Sequence, residues 1–371
     1  MNYELIATTT FGIESVTARE LKDLGYEDLK VENGKVTFSG DEMDIAICNI
    51  WLRSADRILI KMKEFKATTF EELFQGTKDV PWAKIIPYNG EMHVVGKSIK
   101  STLFSVPDCQ SIVKKAIIES MKITYKRDRF PEDGPKYKIE IALLKDIATL
   151  TIDTSGPGLH KRGYREIAGA APLKETMAAA LVLISKWKGN EILIDPFCGS
   201  GTIPIEAALI AKNIAPGINR TFVCEEWPTM SPLLFKQVRE GALKSVNKKD
   251  IQIKASDIDT KVLSIARENA RKAGVSNYIT FERKDFREIS LKEKEGFIIS
   301  NPPYGERIGE EEIIRKLYRK LGQDFRKSDK WKFFVLTSYE DFEKCFGLKA
   351  NKNRKLFNGR LKCYYYQYSK E

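Results

Sequence analysis

Apolar positions along the 371 residues recur with two different periods, and the change of period divides the chain. Residues 1–64 alternate short strand-like and helix-like pieces: Tyr3 to Thr8, a helix around Ile13 to Leu24 stopped by Gly25, and a strand ending at Val36-Thr37-Phe38. Such a succession predicts a small α+β unit. Glu91 to Ser98 then alternates with the period of a strand. Asp108 to Met121 sets Ile112, Val113, Ala116, Ile117 and Met121 on one helical face, and Lys136 to Leu144 and Ile147 to Asp153 read as two strands around Lys145-Asp146. One helix on those strands is the smallest sandwich that residues 65–155 could form.

Ser155-Gly156-Pro157-Gly158 and the basic run through Lys161, Arg162 and Arg165 mark residues 156–171 as the junction. From Pro172 the pattern becomes helix, strand, helix, strand. Helices are expected at Leu173 to Lys186, Ile205 to Lys212 and Lys261 to Ala273, with strands at Glu191 to Ile194, Ile251 to Ala255, Tyr278 to Phe281, Phe297 to Ser300 and Phe333 to Thr337. Lys355-Leu356-Phe357 and Arg360 to Tyr368 flank Asn358-Gly359, a strong hairpin signal. Residues 172–371 therefore read as an α/β domain, a doubly wound Rossmann-like sheet ending in an antiparallel hairpin.

Composition narrows the classes. No stretch approaches eighteen uninterrupted apolar residues, and Glu4 stands where a signal peptide needs a basic start, so a cytoplasmic protein is expected. Six dispersed cysteines without a Cys-x-x-Cys pair, and only two histidines, support neither a disulfide framework nor a metal site. The net charge of +11 suggests an acidic polymer as partner. Residues 1–160 carry 22 Lys+Arg against 24 Asp+Glu, so the excess belongs to the C-terminal part. Locally, Lys114, Lys115, Lys122, Lys126, Arg127 and Arg129 concentrate positive charge within sixteen residues and could grip backbone phosphates, or could form a solvated helix face. Lys161, Arg162 and Arg165 beside Tyr164 could guide a nucleic-acid strand, or merely connect.

The candidate chemistry lies at expected strand ends. Asp195-Pro196-Phe197-Cys198-Gly199-Ser200-Gly201-Thr202 follows the first strand of the sheet and opens a helix, where a nucleoside cofactor approaches the backbone most closely. A dinucleotide fingerprint would need Gly at position 204, which is Pro, and the next strand-end acid, Asp257, lies too far along the chain for a nicotinamide site. A cofactor with a ribose but no pyrophosphate remains, and S-adenosylmethionine fits. Asp257, with Ile258 beside it, would accept from the ribose hydroxyls. Asp285 would accept from the adenine amino group, and Phe286 would lie against the ring. Asp259 reads as a helix N-cap.

After Phe297-Ile298-Ile299 comes Asn301-Pro302-Pro303-Tyr304. An amine conjugated to an aromatic ring is a weak nucleophile, so a catalyst must accept hydrogen bonds from its N–H groups and hold it in line with the methyl donor. The Asn301 side chain and the Pro302 carbonyl supply acceptors, the prolines fix the backbone, and Tyr304 offers a ring face for a base. The tetrapeptide therefore points to methylation of an exocyclic amino group on a nucleobase.

With these residues in place, 172–371 resembles a class I S-adenosylmethionine-dependent methyltransferase of the amino-group type. The whole chain resembles the THUMP-domain RNA guanine-N2 methyltransferases, the family that includes the large-subunit ribosomal RNA enzymes. The resemblance is carried by Asp108 to Ala116, Leu159 to Arg165, Ala171 to Thr176, the Asp195 loop, Ala215-Pro216-Gly217 with Arg220 and Phe222, and Asn301 to Arg307. It implies that Leu173, Lys174, Glu175 and Thr176 line the cofactor pocket, that 65–155 binds RNA, and that 1–64 is a ferredoxin-like companion. The expected reaction is methyl transfer to guanine N2, in ribosomal or transfer RNA, without a metal and without a Cys198 nucleophile. Three rivals stand beside it: an adenine-N6 methyltransferase on DNA, a tRNA sulfur-insertion enzyme, and a non-catalytic RNA-binding assembly factor.

Overall fold

The chain builds two seven-stranded sheets, and the computed structural model describes residues 1–165, 173–289, 291, 295–304 and 311–370. The N-terminal elements are β1 (Tyr3–Thr9), α1 (Glu14–Asp23), β2 (Lys30–Glu32), β3 (Lys35–Gly40), α2 (Glu42–Trp51), β4 (Ala55–Lys66), α3 (Phe70–Lys78), β5 (Glu91–Ile99), α4 (Val106–Tyr125), β6 (Lys136–Leu144) and β7 (Ile147–Asp153). Their sheet runs β2-β3-β1-β4-β7-β6-β5. Only its β5–β6 pair is parallel.

The boundary expected at residue 64 falls inside β4, whose Ala55 to Lys61 stretch pairs with β1 and whose Leu59 to Lys66 stretch pairs with β7. A strand that exchanges N–H and C=O bonds with a neighbour on each edge belongs to both ladders at once, so the two small units share a sheet. Local signals explain the helices. Asp41 and Thr69 cap α2 and α3 through capping boxes with Asp44 and Glu72, which satisfy the otherwise orphaned N-terminal N–H groups. Cys109, Val113, Ala116, Ile117 and Met121 form the buried face of α4, which therefore extends the expected helix by a turn without changing its inward side.

The second half comprises α5 (Glu175–Ser185), β8 (Ile192–Asp195), α6 (Thr202–Ala211), α7 (Pro232–Lys244), β9 (Ile253–Asp257), α8 (Thr260–Lys272), β10 (Ile279–Arg283), β11 (Glu295–Ser300), α9 (Glu311–Lys327), β12 (Lys330–Thr337), α10 (Phe342–Phe346), β13 (Lys352–Asn358) and β14 (Leu361–Tyr368). The strand order is β10-β9-β8-β11-β12-β14-β13, parallel through β12 and antiparallel for the last two. This is the expected doubly wound sheet with a terminal hairpin. Asn358 pairs with Leu361, so the two-residue turn is Gly359-Arg360, one position later than the Asn-Gly signal suggests.

The halves are packed into each other. Phe222, Trp227, Met230 and Phe235, from the segment between α6 and β9, join the hydrophobic core of the first sheet, and Trp227 stacks on Tyr137 with ring centroids 4.7 Å apart. Ile13 and Val16 of the N-terminal part enter the core around α5, α6 and β8 in return. No helix among the described residues is long and apolar enough to cross a membrane.

Candidate active site

The sheet creates its own crevice. From β8 the chain steps outward to β9 and β10, then returns to lay β11 on the other side of β8, so connections leave in opposite directions from the β8/β11 pair and part to form a crevice at their ends. Asp195 ends β8, Asp257 ends β9, Asp285 lies just past β10 and Asn301 just past β11. Four residues singled out along 107 positions of sequence thus reach one edge. A cavity of about 940 Å³ opens there, lined by Pro196, Phe197, Gly199, Asp257, Ile258, Asp285, Phe286, Asn301 and Pro303 among others.

Its floor is fixed by hydrogen bonds between strand tips. The buried Asp195 carboxylate accepts from the Ser300 hydroxyl at 2.7 Å and from the Phe197 N–H at 3.2 Å, tying the β8 loop to the end of β11. Burial pushes the Asp195 carboxyl up to about 7, against the smaller opposing effect of those two donors. Asp257 accepts the Gly199 N–H at 3.1 Å on one oxygen and the Asp259 N–H at 3.0 Å on the other. Gly199 has φ +52°, and a Cβ built there meets no protein atom within 4 Å, so it would project into open space. Gly201, at φ +83°, serves packing instead, because a Cβ there would sit 3.2 Å from the Cβ of Ala266 on α8.

On the far wall, Phe197 and Phe286 face each other at 5.4 Å between centroids. Asp285 caps the short turn Phe286–Glu288 and is clasped by the Arg287 guanidinium at 2.9 and 2.5 Å, which holds its carboxyl below the ordinary range. Asp259 caps α8 through the Lys261 N–H. A bonded carboxylate still has free lone pairs, so both Asp257 and Asp285 keep acceptor capacity toward the cavity. An apolar wall formed by two aromatic rings in contact with each other, acids at either end and a backbone approach at Gly199 fit a nucleoside with two ribose hydroxyls. No group of three or more acids, histidines or cysteines suited to a metal occurs among the described residues.

Other expected residues are placed differently. Cys198 is buried in the core, its thiol pushed up by burial, and does not line the cavity. Ser200 accepts from the Asn269 side chain through its carbonyl, and Thr202 receives Arg165, so the loop turns away from the cavity after Gly199. Leu173, Lys174, Glu175 and Thr176 do not appear on the cavity wall either: Thr176 donates to Asp56 at 3.0 Å, and Glu175 lies 3.4 Å from Arg165. Ala171, Pro172 and Gly305 to Arg307 lie outside the described residues. Tyr304 is half-buried against Cys363 and the core, and its hydroxyl donates to Asn301 Oδ1, so the ring is not presented to the cavity.

The basic junction is also corrected. Arg162 and Arg165 have side chains only 3% and 8% exposed. Arg162 donates to the Leu159 and Arg53 carbonyls and approaches Glu206, which also accepts from Tyr164, while Arg165 reaches the Leu173 carbonyl. Guanidinium groups enclosed by protein acceptors cannot meet phosphates, so of the three junction cations only Lys161 remains on the surface. Arg220 works to the same end, donating to the carbonyls of Pro157, Gly158 and Lys161 at 2.5, 2.8 and 2.9 Å. The apparent linker is a clamped seam. On α4 and beyond it, Lys114 and Lys122 pair with Glu132 and Glu119, Lys115 stands over Phe74, and Arg127 over Tyr88; Lys126, Arg127 and Arg129 are exposed.

Sequence reasoning overlooked Ser300, and it overlooked α9. That helix supplies Ile313, Lys316, Leu317 and Lys320 to the cavity wall. Its spacing of Ile314, Leu317, Tyr318, Leu321 and Phe325 is a clear helical signal that could have found it.

Comparison with known proteins agrees with this architecture throughout. Residues 4–59 match the model of the RlmL ferredoxin-like domain, 67–153 that of the THUMP domain, and 162–367 that of UPF0020, the RMKL-like methyltransferase domain. YpsC of Bacillus subtilis (strain 168), whose name provisionally makes it an RNA methyltransferase, is 51% identical over 369 residues, covering 99% of this chain and 96% of that protein. A structure from Listeria monocytogenes (strain 4b F2365), named for a predicted N6-adenine-specific DNA methylase, superposes with a TM-score of 0.95 at 48% identity, covering 100% of this chain and 97% of that one. SMU.472, a methyltransferase by provisional name, crystallised with S-adenosylhomocysteine, gives 0.95 at 44% identity over 100% and 98% of the two chains. The chain belongs to the RMKL-like methyltransferase family, with an RlmL-type ferredoxin-like domain and a THUMP domain in front of its catalytic fold.

Proposed function

We propose that this methyltransferase uses S-adenosylmethionine to methylate the exocyclic N2 of a guanine in RNA, large-subunit ribosomal RNA being the leading substrate and transfer RNA the alternative. The observation that carries the reading is the meeting of Asn301 with the Gly199, Asp257 and Phe286 cavity at the switch point. An amine acceptor beside a nucleoside slot serves transfer to an exocyclic amine. RNA as substrate is supported by the THUMP domain and by the name of the YpsC relative.

In this mechanism Asp257 would accept from the ribose hydroxyls, Asp285 would accept from the adenine amino group, and Phe286 would lie against the ring. When bound, the cofactor supplies an electrophilic methyl group. The chain's own residues hold and aim the nucleophile. Asn301 Oδ1 and the Pro302 carbonyl accept from the guanine amino group, which fixes its lone pair in line and draws off positive charge as nitrogen becomes tetrahedral. Because the Tyr304 hydroxyl donates to Asn301 in this structure, the arriving amine takes the place of that donor on Oδ1. Water takes the proton once the bond has formed.

The test is nucleoside mass spectrometry on ribosomal and transfer RNA from cells with and without the gene, followed by reaction of the purified protein with each RNA. N2-methylguanine that depends on the gene is expected. Because the Listeria structure is named for adenine-N6 chemistry, genomic DNA goes through the same procedure, and gene-dependent N6-methyladenine there with unchanged RNA would replace this reading.

A further inference from the structure

Four cations border the cavity that the ribose and adenine of a nucleoside cofactor do not engage. Lys284 and Arg287 border it on the β10 side, Lys316 and Lys320 on the α9 side, against Asp257 and Asp285. S-adenosylmethionine brings a single carboxylate together with an ammonium and a sulfonium, so its own net charge is positive. Each of the four cations has an acid beside it, Glu282, Asp285, Glu312 and Asp324 in turn, so the wall takes up a further anion by exchanging one of these partners. The volume of about 940 Å³ lies at the upper end of the range of roughly 300–1,000 Å³ for small-ligand sites.

The placement of the lysines suits a chain of phosphates. Ile313, Lys316, Leu317 and Lys320 follow the i, i+3, i+4, i+7 spacing of one helical face, and that face borders the cavity. Lys316 and Lys320 are separated by about 6 Å along the helix axis, a reach comparable with the step between neighbouring phosphates of an extended strand. α9 packs against the Phe286–Glu288 turn, which brings Arg287 to the same side. Among the described residues the lysines pair with acids of their own helix: Lys316 with Glu312 at 2.9 Å, both side chains largely exposed, and Lys320 with Asp324 at 2.5 Å. The exposed Lys316–Glu312 pair is weak and readily exchanged for a phosphate, whereas Lys320 is partly enclosed and leaves Asp324 to meet one.

We propose that Lys316 and Lys320 of α9, helped by Arg287 and Lys284, hold the two phosphates flanking the extruded nucleotide, so that the site takes a nucleotide within a polynucleotide rather than a free base or nucleoside. The proposal rests on the reading of the site as a nucleic-acid methyltransferase. It assigns to α9 a positioning role toward the substrate strand that the tetrapeptide alone cannot supply.

The test uses the full chain with saturating S-adenosylhomocysteine and a fluorescein-labelled RNA hairpin bearing a guanine in its loop, titrated at several salt concentrations. The double variant Lys316→Ala/Lys320→Ala should bind the hairpin about tenfold more weakly at 0.1 M salt, with a log K against log salt slope shallower by about 1.4, since each single-strand phosphate contact contributes roughly 0.7. S-adenosylhomocysteine affinity should stay within twofold, and Lys316→Arg/Lys320→Arg should restore the slope. An unchanged slope, a wild type that does not bind the hairpin, or a loss of S-adenosylhomocysteine affinity equal to that for RNA would overturn the proposal, the last by showing that the lysines hold the cofactor carboxylate. Methylation of a base other than guanine would defeat the guanine reading and leave the slope result standing.

Discussion

Of the molecule's two seven-stranded sheets, the first is antiparallel except for one pair, whereas the second is parallel through five strands and reverses its winding order between β8 and β11. An antiparallel sheet sends connections across both ends of its strands. A parallel sheet with such a reversal parts its connections at one pair of strand ends, and the cavity with Asp257, Asp285 and Asn301 lies there. The charges divide likewise, the first 160 residues being close to neutral and the remainder strongly basic. Chemistry and the bulk of the electrostatic attraction therefore belong to the second sheet, while the first, rigidly seated on it, is suited to recognition by shape.

The largest effect is expected where the second sheet is most specialised. Asn301→Ala removes the amine acceptor and should lower kcat by 10³-fold or more, roughly 4 kcal/mol of transition-state stabilisation, while S-adenosylhomocysteine binds within a few-fold of wild type by calorimetry. A retained rate would move the chemistry away from the β11 tip.

The strands that build this crevice were legible because their apolar runs are short, bounded and regularly spaced with helices, and the strand-end acids followed from them. What was not legible is long-range. Nothing local in Ala55 to Lys66 tells that one strand serves two modules, since that depends on pairing with β7 nearly a hundred residues away. Arg162 and Arg165 read as surface cations because sequence gives charge but not enclosure, and Glu206, the acidic neighbour of Arg162, lies about forty residues on, in a helix that is otherwise apolar. Tyr304 was expected to face outward; its contact with Cys363 comes from the hairpin at the far end of the chain.

The coupling of the two sheets can be broken at Arg162. Its side chain bridges the Arg53 carbonyl of the first half and Glu206 of the second, 3.5 Å away and fully buried. Arg162→Ala leaves that carboxylate without its cation and should cost about 3 kcal/mol in urea denaturation. Arg162→Met/Glu206→Gln removes both charges, keeps an acceptor for the Tyr164 hydroxyl, and should recover most of the loss. If the single variant unfolds with wild-type stability, the seam is held by its apolar contacts alone.

Asp195 offers a smaller, pH-dependent handle on the second sheet. Its folded value of about 7 exceeds the ordinary 3.8, so between those values the native state keeps a proton that the unfolded chain releases. Its contribution to stability is therefore greatest below about pH 4, declines as pH rises toward 7, and is level above that, with a slope of at most about 1.4 kcal/mol per pH unit. Asp195→Asn retains an oxygen for Ser300 and Phe197 but does not titrate. Urea midpoints at pH 5 and pH 7 should show the variant gaining on wild type as pH rises, whereas parallel curves would mean that the carboxyl titrates normally.

The smallest expected effect decides how the first sheet contributes. Lys126, Arg127 and Arg129 are exposed just beyond α4, and Arg127 lies 4.9 Å over the Tyr88 ring, where its guanidinium is already oriented. Glutamine replaces each without a large change in size, and at Lys126, which has φ +52°, it avoids introducing a β-branched side chain into a left-handed conformation. The triple variant Lys126→Gln/Arg127→Gln/Arg129→Gln should weaken RNA binding only a few-fold, and each cation that meets a phosphate should flatten the salt slope by about 0.7. Were the slope to stay fixed while affinity falls, the surface would be reading shape rather than charge. Were the loss to exceed that of the α9 lysine pair, the division of labour between the sheets would be reversed, because the neutral half would then carry the electrostatic grip that its composition does not predict.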